Sequence, residues 1–319
     1  MNRMLVRQGL MALAALSSLS VLGCTGDDGE EEPKVEPVTS GTYNHYVSNK
    51  LFVPKTPSEK TTYGFNLDKD PDNSIDNRLG NMMVVLKNNG VDIQSTIDES
   101  LTDGKLSILH SVRADDLTKD SSVSWQVYLA DQPASPPKYD GSDSYTISKD
   151  GPTNAVLNGR ILGGSFVGGP GDVTIKIALV KDQPPLILNL VGARMETTVT
   201  ASSCKGKLGG AIKESDLNET VLPAVANMMN ASIKEDPEKD TSKTIKKLFD
   251  TEPKDNPDGV ITAQELKNND LIGTVLAADV DLFDASGKYN PRSDMKNDSL
   301  SLGVGIECVN AKFTPDNEK

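Results

Sequence analysis

The sequence predicts a β-rich α+β fold, an antiparallel β-sandwich that carries helices. Apolar and polar residues alternate over short segments such as SVSWQVYLA, DVTIKIALV, PLILNLV and ARMETTVT, which is typical of half-buried strands. Turn-forming Gly, Pro and Asp residues separate these segments, as at residues 168–172. Strands are predicted on both sides of a helical insertion at residues 215–276. The pattern therefore favours one sandwich over two independent domains.

The N-terminus predicts a bacterial lipoprotein address. Residues 1–23 hold two arginines followed by an apolar stretch too short to span a membrane as a stable helix. The signal peptide ends in VLGC, which resembles the lipobox, so Cys24 is the expected lipidation site. Residues 24–41 are rich in Gly, Glu, Pro and Asp and predict a flexible acidic tether. We expect a lipid-anchored cell-envelope protein, on the outer membrane, with one folded domain over residues 42–319.

The charge and the aromatic content exclude some partners. The formal net charge is -13, which disfavours nucleic acid and anionic lipid headgroups because both would be repelled. Trp125 is the single tryptophan and aromatic residues make up 4% of the chain, so no stacking platform for bases or sugars is evident. A strongly acidic chain suits calcium, and the membrane contact is expected through the lipid on Cys24.

Two cysteines remain after Cys24 is assigned to lipid. Cys204 and Cys308 are an even pair in an exported protein, where oxidation is permitted, and a disulfide between them is expected. The alternation over residues 300–308 points Cys308 inward. The alternative is a pair of small buried thiols.

Helical spacing of apolar residues occurs in two regions. Residues 75–86 and 93–101 predict an N-terminal helix pair, with Asn89 and Gly90 ending the first helix. In the insertion, the apolar row that begins at Leu217 predicts a helix, and Asp216 with Glu219 resembles a capping box. The insertion therefore supplies the helices around the strongest motif of the chain.

That motif, DNPDGVITAQEL, resembles an EF-hand or dockerin loop with Gly259 at its sixth position. The predicted calcium ligands are Asn256, Asp258, the carbonyl of Val260, and Glu265 at the twelfth position. Lys254 stands at the first position, where an ammonium group cannot ligate a cation. The residues that could replace it are Asp250, Glu252 and Asp255. Two interpretations stay open, a calcium site and a loop that keeps only the turn and capping chemistry.

The stretch NLDKDPDNSIDN fits the same scheme in part. Its predicted ligands are Asp68, Asp70, Asp72, the carbonyl of Ser74, and Asp76. Leu79 falls at the twelfth position, so this stretch predicts a calcium turn and not a complete EF-hand. The alternative is a solvated acidic turn whose aspartates cap the next helix.

Catalytic patterns are weaker than the calcium patterns. His45 lies beside the tether and His110 at the end of a strand, where a hydrogen-bonded structural histidine is the simpler interpretation. The stretch GGSFVGG lacks the spacing of a nucleophile elbow, and no zinc spacing or phosphate loop occurs. We expect a protein that is not an enzyme. The alternative is an exported hydrolase with an acidic active site in the sandwich cleft.

The order of these features resembles uncharacterised surface lipoproteins of myxobacteria. The resemblance rests on the lipobox, the acidic tether, LDKDPDNSIDNRLGN, the Gly-rich strands, DGVITAQEL and the closing DSLSLGVGIECVNAKF. It implies an envelope protein with EF-hand-like calcium loops and gives no reaction to transfer. The expected function is a calcium-binding or calcium-stabilised adhesion or interaction module for an unknown envelope or extracellular component. A dockerin-like docking surface at residues 245–276 is a further possibility that requires exposed apolar residues beside the loop.

Overall fold

A computed structural model describes residues 38, 40–72, 74–88, 92–152, 154–178, 185–251 and 258–315. Residues 35–319 group into one compact unit, and residues 1–34 lie wholly outside the described residues. The predicted signal peptide, the lipidation site Cys24 and most of the tether therefore fall outside them. The predicted ligand Asn256 does so too.

In the described part of the chain, eight antiparallel strands form a single sheet that closes on itself, because β1 pairs with both β2 and β8. The strands are β1 (Thr42–Phe52), β2 (Ile108–Ala114), β3 (Lys119–Leu129), β4 (Val156–Leu162), β5 (Ser165–Ile177), β6 (Leu186–Val199), β7 (Ser203–Lys213) and β8 (Ser299–Asn310). The predicted β-rich fold is confirmed. The predicted sandwich does not form, because a sandwich needs two packed sheets and these strands make one closed barrel.

Two predicted turns lie inside continuous strands. The turn expected at residues 168–172 is an irregularity within β5, where the pairing with β6 shifts register. The segments PLILNLV and ARMETTVT join as the one strand β6, which shifts register against β7 between Val191 and Arg194. Gly192 lies there with a φ of +58°, a conformation that glycine adopts without steric cost. Such bulges bend strands and increase their twist, which closing a sheet requires.

Apolar side chains fill the inside of the barrel. Tyr46, Trp125 and Phe166 are fully buried, and the rings of Trp125 and Phe166 lie 4.9 Å apart. A second apolar cluster lies on the outer face of β1 to β3, where Val47 and Tyr128 meet a covering segment that includes Phe313. The barrel core and this outer cluster together explain why β2 is buried on both faces.

The helices of the described residues lie in two groups between strands. The first group, between β1 and β2, is α1 (Pro57–Tyr63), α2 (Arg78–Asn88) and α3 (Ile93–Thr102). The second group, between β7 and β8, is α4 (Glu214–Asp216), a π-helical turn (Leu217–Val221), α5 (Leu222–Glu235), α6 (Asp240–Phe249), α7 (Ala263–Asn268) and α8 (Asp270–Val275). Helix α1 was not predicted, and the capping bond expected at Asp216 is absent. No helix in the described part of the chain is long and apolar enough to cross a membrane.

Glycines on the outer face of β7 and β8 let the segment after α1 lie directly on the sheet. A Cβ atom at Gly303 would come within 2.2 Å of the Tyr63 carbonyl oxygen, and one at Gly209 within 2.6 Å of the Phe65 ring. Phe65 and Leu67 then pack with Val280 and Leu282 in an apolar cluster. This packing brings the acidic turn at residues 66–76 against the segment that precedes β8.

Candidate metal-binding loops

The acidic turn at residues 66–76 is held closed by one amide side chain. The Asn66 side chain donates to the Asp70 carbonyl and accepts from the Asp70 backbone N–H, both at 2.8 Å. Across the turn, Asp76 Oδ2 accepts the Leu67 N–H at 2.7 Å. The turn therefore holds three of its predicted ligands, Asp68, Asp70 and Asp76, within one short closed segment.

The other predicted ligands of this turn lie towards solvent. Asp68 Oδ1 accepts the Asp70 N–H at 3.0 Å, and Asp70 Oδ1 accepts the Asp72 N–H at 3.2 Å. Ser74 donates its hydroxyl to Asp70, and both Asp72 and Ser74 are exposed. These bonds fit the solvated acidic turn of the alternative, but the capping that it expects is made by Asn77, whose Oδ1 accepts the Gly80 N–H at 3.0 Å at the start of α2.

Arg292, in the segment that precedes β8, approaches this turn. The Arg292 guanidinium lies 3.8 Å from Asp68 and 3.5 Å from Asp70. Burial raises the pKa of Asp76 to about 7, and repulsion from the Asp68 and Asp279 carboxylates adds to the effect. Burial also raises the pKa of Asp68. Negative charge is therefore disfavoured at Asp68 and Asp76, whereas the hydrogen bond from Ser74 lowers the pKa of Asp70.

The raised pKa of Asp76 predicts a pH dependence of stability. Below its unfolded value of 3.8, Asp76 is protonated in both states; above about pH 7 it is ionised in both, and the folded state is penalised. In chelator, the free energy of unfolding should therefore fall by about 1–2 kcal/mol between pH 4 and pH 7, after allowance for solvent screening. Urea titrations of wild type and Asp76→Asn measure this, and equal slopes for the two proteins would contradict it.

The second candidate loop begins at Asp250, directly after α6. Asp250 Oδ2 accepts the Gly259 N–H at 3.0 Å, and Gly259 has a φ of +83°. Asp250 is only 8% exposed, and its Oδ1 atom is buried without a hydrogen-bond partner among the described residues. Of the three residues that could replace Lys254, Asp250 therefore reaches across the loop to its sixth position. Residues 252–257, with Glu252 and Asp255, lie outside the described residues.

Glu265, the predicted twelfth-position ligand, is buried at the far end of the same loop. Its Oε1 accepts the Thr251 N–H at 2.8 Å, and its Oε2 accepts the Thr262 N–H at 2.7 Å. The Thr262 hydroxyl in turn accepts the Glu265 N–H, which completes a capping box at the start of α7. Because Thr251 follows Asp250 directly, the fold brings the carboxylate of Glu265 to the start of the loop.

The remaining described ligands lie between these two carboxylates. Asp258 Oδ1 accepts the Val260 N–H at 2.8 Å, and Val260 is exposed. Ile261, at the eighth position, is buried and held by the Asn230 side chain, which accepts its N–H at 2.9 Å and donates to its carbonyl at 2.7 Å. Helix α5 therefore fixes the centre of the loop through one amide.

Within the described ranges, no three histidine, cysteine or acidic side chains are grouped so that they could hold a metal ion. The ligand set of the second loop is incomplete there, since Asn256 lies outside the described residues. Calcium binding stays a prediction for both loops.

Amide side chains bind backbone N–H and carbonyl groups that have no partner strand, and the sequence did not predict this role. Asn77 binds both backbone groups of Gly303, and Gln94 accepts the Val53 N–H at 3.0 Å and donates to the Leu51 carbonyl at 2.9 Å. Together with Asn66 and Asn230, they act as partners for backbone that lacks a neighbouring strand. In the sequence, an Asn beside a helix start is typical of an ordinary N-cap, which gives little indication that it binds backbone of another segment.

His110 lies inside the barrel in a buried chain of hydrogen bonds. Trp125 Nε1 donates to His110 Nδ1 at 3.1 Å, and His110 Nε2 lies 2.8 Å from the Ser48 hydroxyl. Because the indole can only donate, Nδ1 must accept, and the neutral ring donates from Nε2 to Ser48. Burial lowers the pKa of His110 to about 3. This tautomer cannot take a proton from Ser48, so the pair is not arranged as a nucleophile and its base.

The cysteine pair lies across β7 and β8. Cys204 and Cys308 stand opposite each other in the register, with Cα atoms 4.8 Å apart, and they form a disulfide. Both side chains belong to the barrel core. The predicted disulfide and the inward direction of Cys308 are confirmed.

Comparisons with protein-family models, with curated proteins and with solved structures find no match for this chain.

Proposed function

We propose that the protein is a calcium-stabilised, non-enzymatic interaction module of the bacterial cell envelope, with a calcium ion held in the loop from Asp250 to Glu265. The observation that carries this proposal is the Asp250 carboxylate. One of its oxygens fixes the Gly259 N–H, and the other is buried without a hydrogen-bond partner in the described part of the chain. A buried carboxylate oxygen without a partner is costly, and a cation would offset that cost.

The ligand chemistry fits a hard divalent cation. Asp250 supplies the acid that the first position lacks, and Glu265 lies close to it through the Thr251 N–H. Calcium takes six to eight oxygen ligands and accepts carbonyl groups such as that of Val260. The affinity expected for such an irregular loop is that of extracellular modules, about 10⁻⁴ to 10⁻³ M. At about 1 mM external calcium such a site is about half to nine-tenths occupied, so its role is structural.

The envelope address and the interaction role rest on the sequence features and on the loop surface. The lipobox at Cys24 and the resemblance to myxobacterial surface lipoproteins support a lipid-anchored location. Leu248 and Val260, at the end of α6 and in the loop, are exposed apolar residues, which supports a contact surface for an envelope or extracellular component. The hydrolase alternative places its acids in a sandwich cleft, whereas the described strands form one closed sheet with Trp125 and Phe166 buried inside it.

Thermal unfolding of the purified protein in calcium and in chelator tests the proposal. At 10 mM calcium and a Kd near 10⁻⁴ M, one site on the native state adds about 2.7 kcal/mol, which should raise the Tm by about 5–10 °C. Asp250→Asn and Glu265→Gln should each remove most of this gain. Glu265→Gln also weakens the capping box. Each variant is therefore compared with wild type by its rise in Tm on adding calcium, and not by its Tm in chelator.

Glu235→Gln is the matched control, because Glu235 is an exposed acid at the end of α5. It should keep the full gain. The proposal fails if wild type melts at the same temperature in calcium and in chelator, or if Asp250→Asn gains as much from calcium as wild type does.

A further inference from the structure

Asp281 is a buried carboxylate outside the loops that the sequence singles out. It is only 2% exposed, between two fully buried apolar residues, Val280 and Leu282. Its Oδ2 accepts the Met295 N–H at 2.7 Å and the Asp294 N–H at 3.3 Å. Its Oδ1 is buried and has no hydrogen-bond partner in the described part of the chain. A buried carboxylate oxygen without a hydrogen-bond partner points to a positively charged ligand.

The fold brings this carboxylate to the acidic turn. Leu67, which precedes Asp68, packs in the same apolar cluster as the two neighbours of Asp281. The charge of Asp281 acts on Asp68 by repulsion and contributes to its raised pKa, after burial as the main cause. Two carboxylates from segments far apart in sequence therefore share one partly dry region.

Arg292 brings a positive charge to the rim of this region. Its backbone N–H donates to the Asp281 carbonyl at 3.0 Å, and its φ of +59° is a left-handed conformation that is uncommon outside glycine. Its guanidinium lies beside Asp68 and Asp70 at the 3.5–3.8 Å distances of loose ion pairs. Arg292 therefore compensates the acidic turn and leaves Asp281 Oδ1 without a partner.

We propose a second divalent-cation site at this junction, with Asp281 Oδ1 and the Asp68 carboxylate as its anchoring ligands. Calcium fits because both ligands are hard oxygens, and two carboxylates balance the charge of one divalent ion. Backbone carbonyls and water complete the coordination. The site differs from an EF-hand loop because its two anchors come from separate segments, so the ion ties the turn at residues 66–76 to the segment before β8. It stands independently of the site at Asp250.

Calcium stoichiometry from equilibrium dialysis of the purified protein tests this site separately from the first. Wild type should bind two ions per chain, Asp281→Asn one, Asp250→Asn one, and the double variant none. If Asp250→Asn binds as wild type does while Asp281→Asn loses an ion, the proposed function fails and this inference stands. If Asp281→Asn binds as many ions as wild type with unchanged affinity, this inference is overturned.

Two further variants test whether Asp281→Asn loses a bound ion for an indirect reason. Asp172→Asn removes an exposed acid of β5 and should leave the stoichiometry at two. Arg292→Gln removes the competing cation, so calcium should bind at the junction severalfold more tightly. Unchanged affinity in Arg292→Gln would count against the site even if Asp281→Asn failed to fold. In chelator, Asp281→Asn should be at least as stable as wild type, because it removes a buried repulsion, whereas a purely structural carboxylate would lose stability.

Discussion

Replacing Asn77 by alanine is expected to destabilise the protein by about 3 kcal/mol, the combined cost of several buried backbone groups left without partners. Asn77 is 1% exposed, and its amide group makes four hydrogen bonds. Its nitrogen donates to the carbonyls of Lys60 and Gly303 at 3.1 and 3.0 Å. Its oxygen accepts the N–H groups of Gly80 and Gly303 at 3.0 and 2.9 Å. One side chain thereby joins α1, the start of α2 and β8.

The position of β1 explains why an amide is needed there. The pairing of β1 with β8 ends at Phe52 opposite Gly305, and continuing it would place Pro54 opposite Gly303. Proline has no N–H to donate to the Gly303 carbonyl, so the ladder cannot continue. Asn77 supplies both a donor and an acceptor at this place, which no apolar residue can do.

Urea unfolding of wild type, Asn77→Ala and Asn81→Ala measures the effect. Asn81 lies on α2 with its side chain exposed, so its replacement should change the free energy of unfolding by less than about 0.5 kcal/mol. Asn77→Asp should also destabilise, because a carboxylate cannot donate to the two carbonyls and would be buried with its charge. A loss below about 1 kcal/mol in Asn77→Ala would show that water replaces the amide at this site.

The alternation of apolar residues was enough to predict the β-rich class and the inward face of the last strand. It could not distinguish a sandwich from a closed sheet, because both bury one face of every strand. Closure depends on β1 meeting β8, a contact between residues such as Val47 and Val309 that no local pattern reports. It also depends on bulges at glycines such as Gly192, which read as turns in the sequence.

In the candidate sites, too, local spacing predicts some residues, and contacts between segments far apart in sequence place the others. The EF-hand spacing predicted Gly259 and Glu265 and left three candidates for the first position. The fold brings Asp250 to the Gly259 N–H, a contact that depends on how the chain leaves α6, and the other two candidates lie outside the described residues. Asp281 carries no motif of its own, and only the fold shows that its neighbours Val280 and Leu282 pack with Leu67, which precedes Asp68.

Removing the disulfide is expected to destabilise the protein by about 2–4 kcal/mol, within the range for native cross-links. Cys204 and Cys308 are 104 residues apart in sequence, and the chain-entropy model gives about 4.7 kcal/mol for a loop near that length as an upper value. The loop that they close contains all of the helices α4 to α8 and the candidate calcium loop. Without the cross-link, β7 and β8 must find each other across this whole insertion, which enlarges the unfolded ensemble.

Wild type, reduced wild type and the Cys204→Ala/Cys308→Ala double variant separate the contributions. Reduction keeps both buried sulfurs and removes only the cross-link, whereas the double variant also removes core volume and should be the least stable of the three. The calcium-dependent gain in Tm should persist in all three, because the disulfide lies at the far end of β7 from the insertion. Two titratable thiols in oxidised protein, or equal urea midpoints for oxidised and reduced wild type, would contradict a stabilising cross-link between these strands.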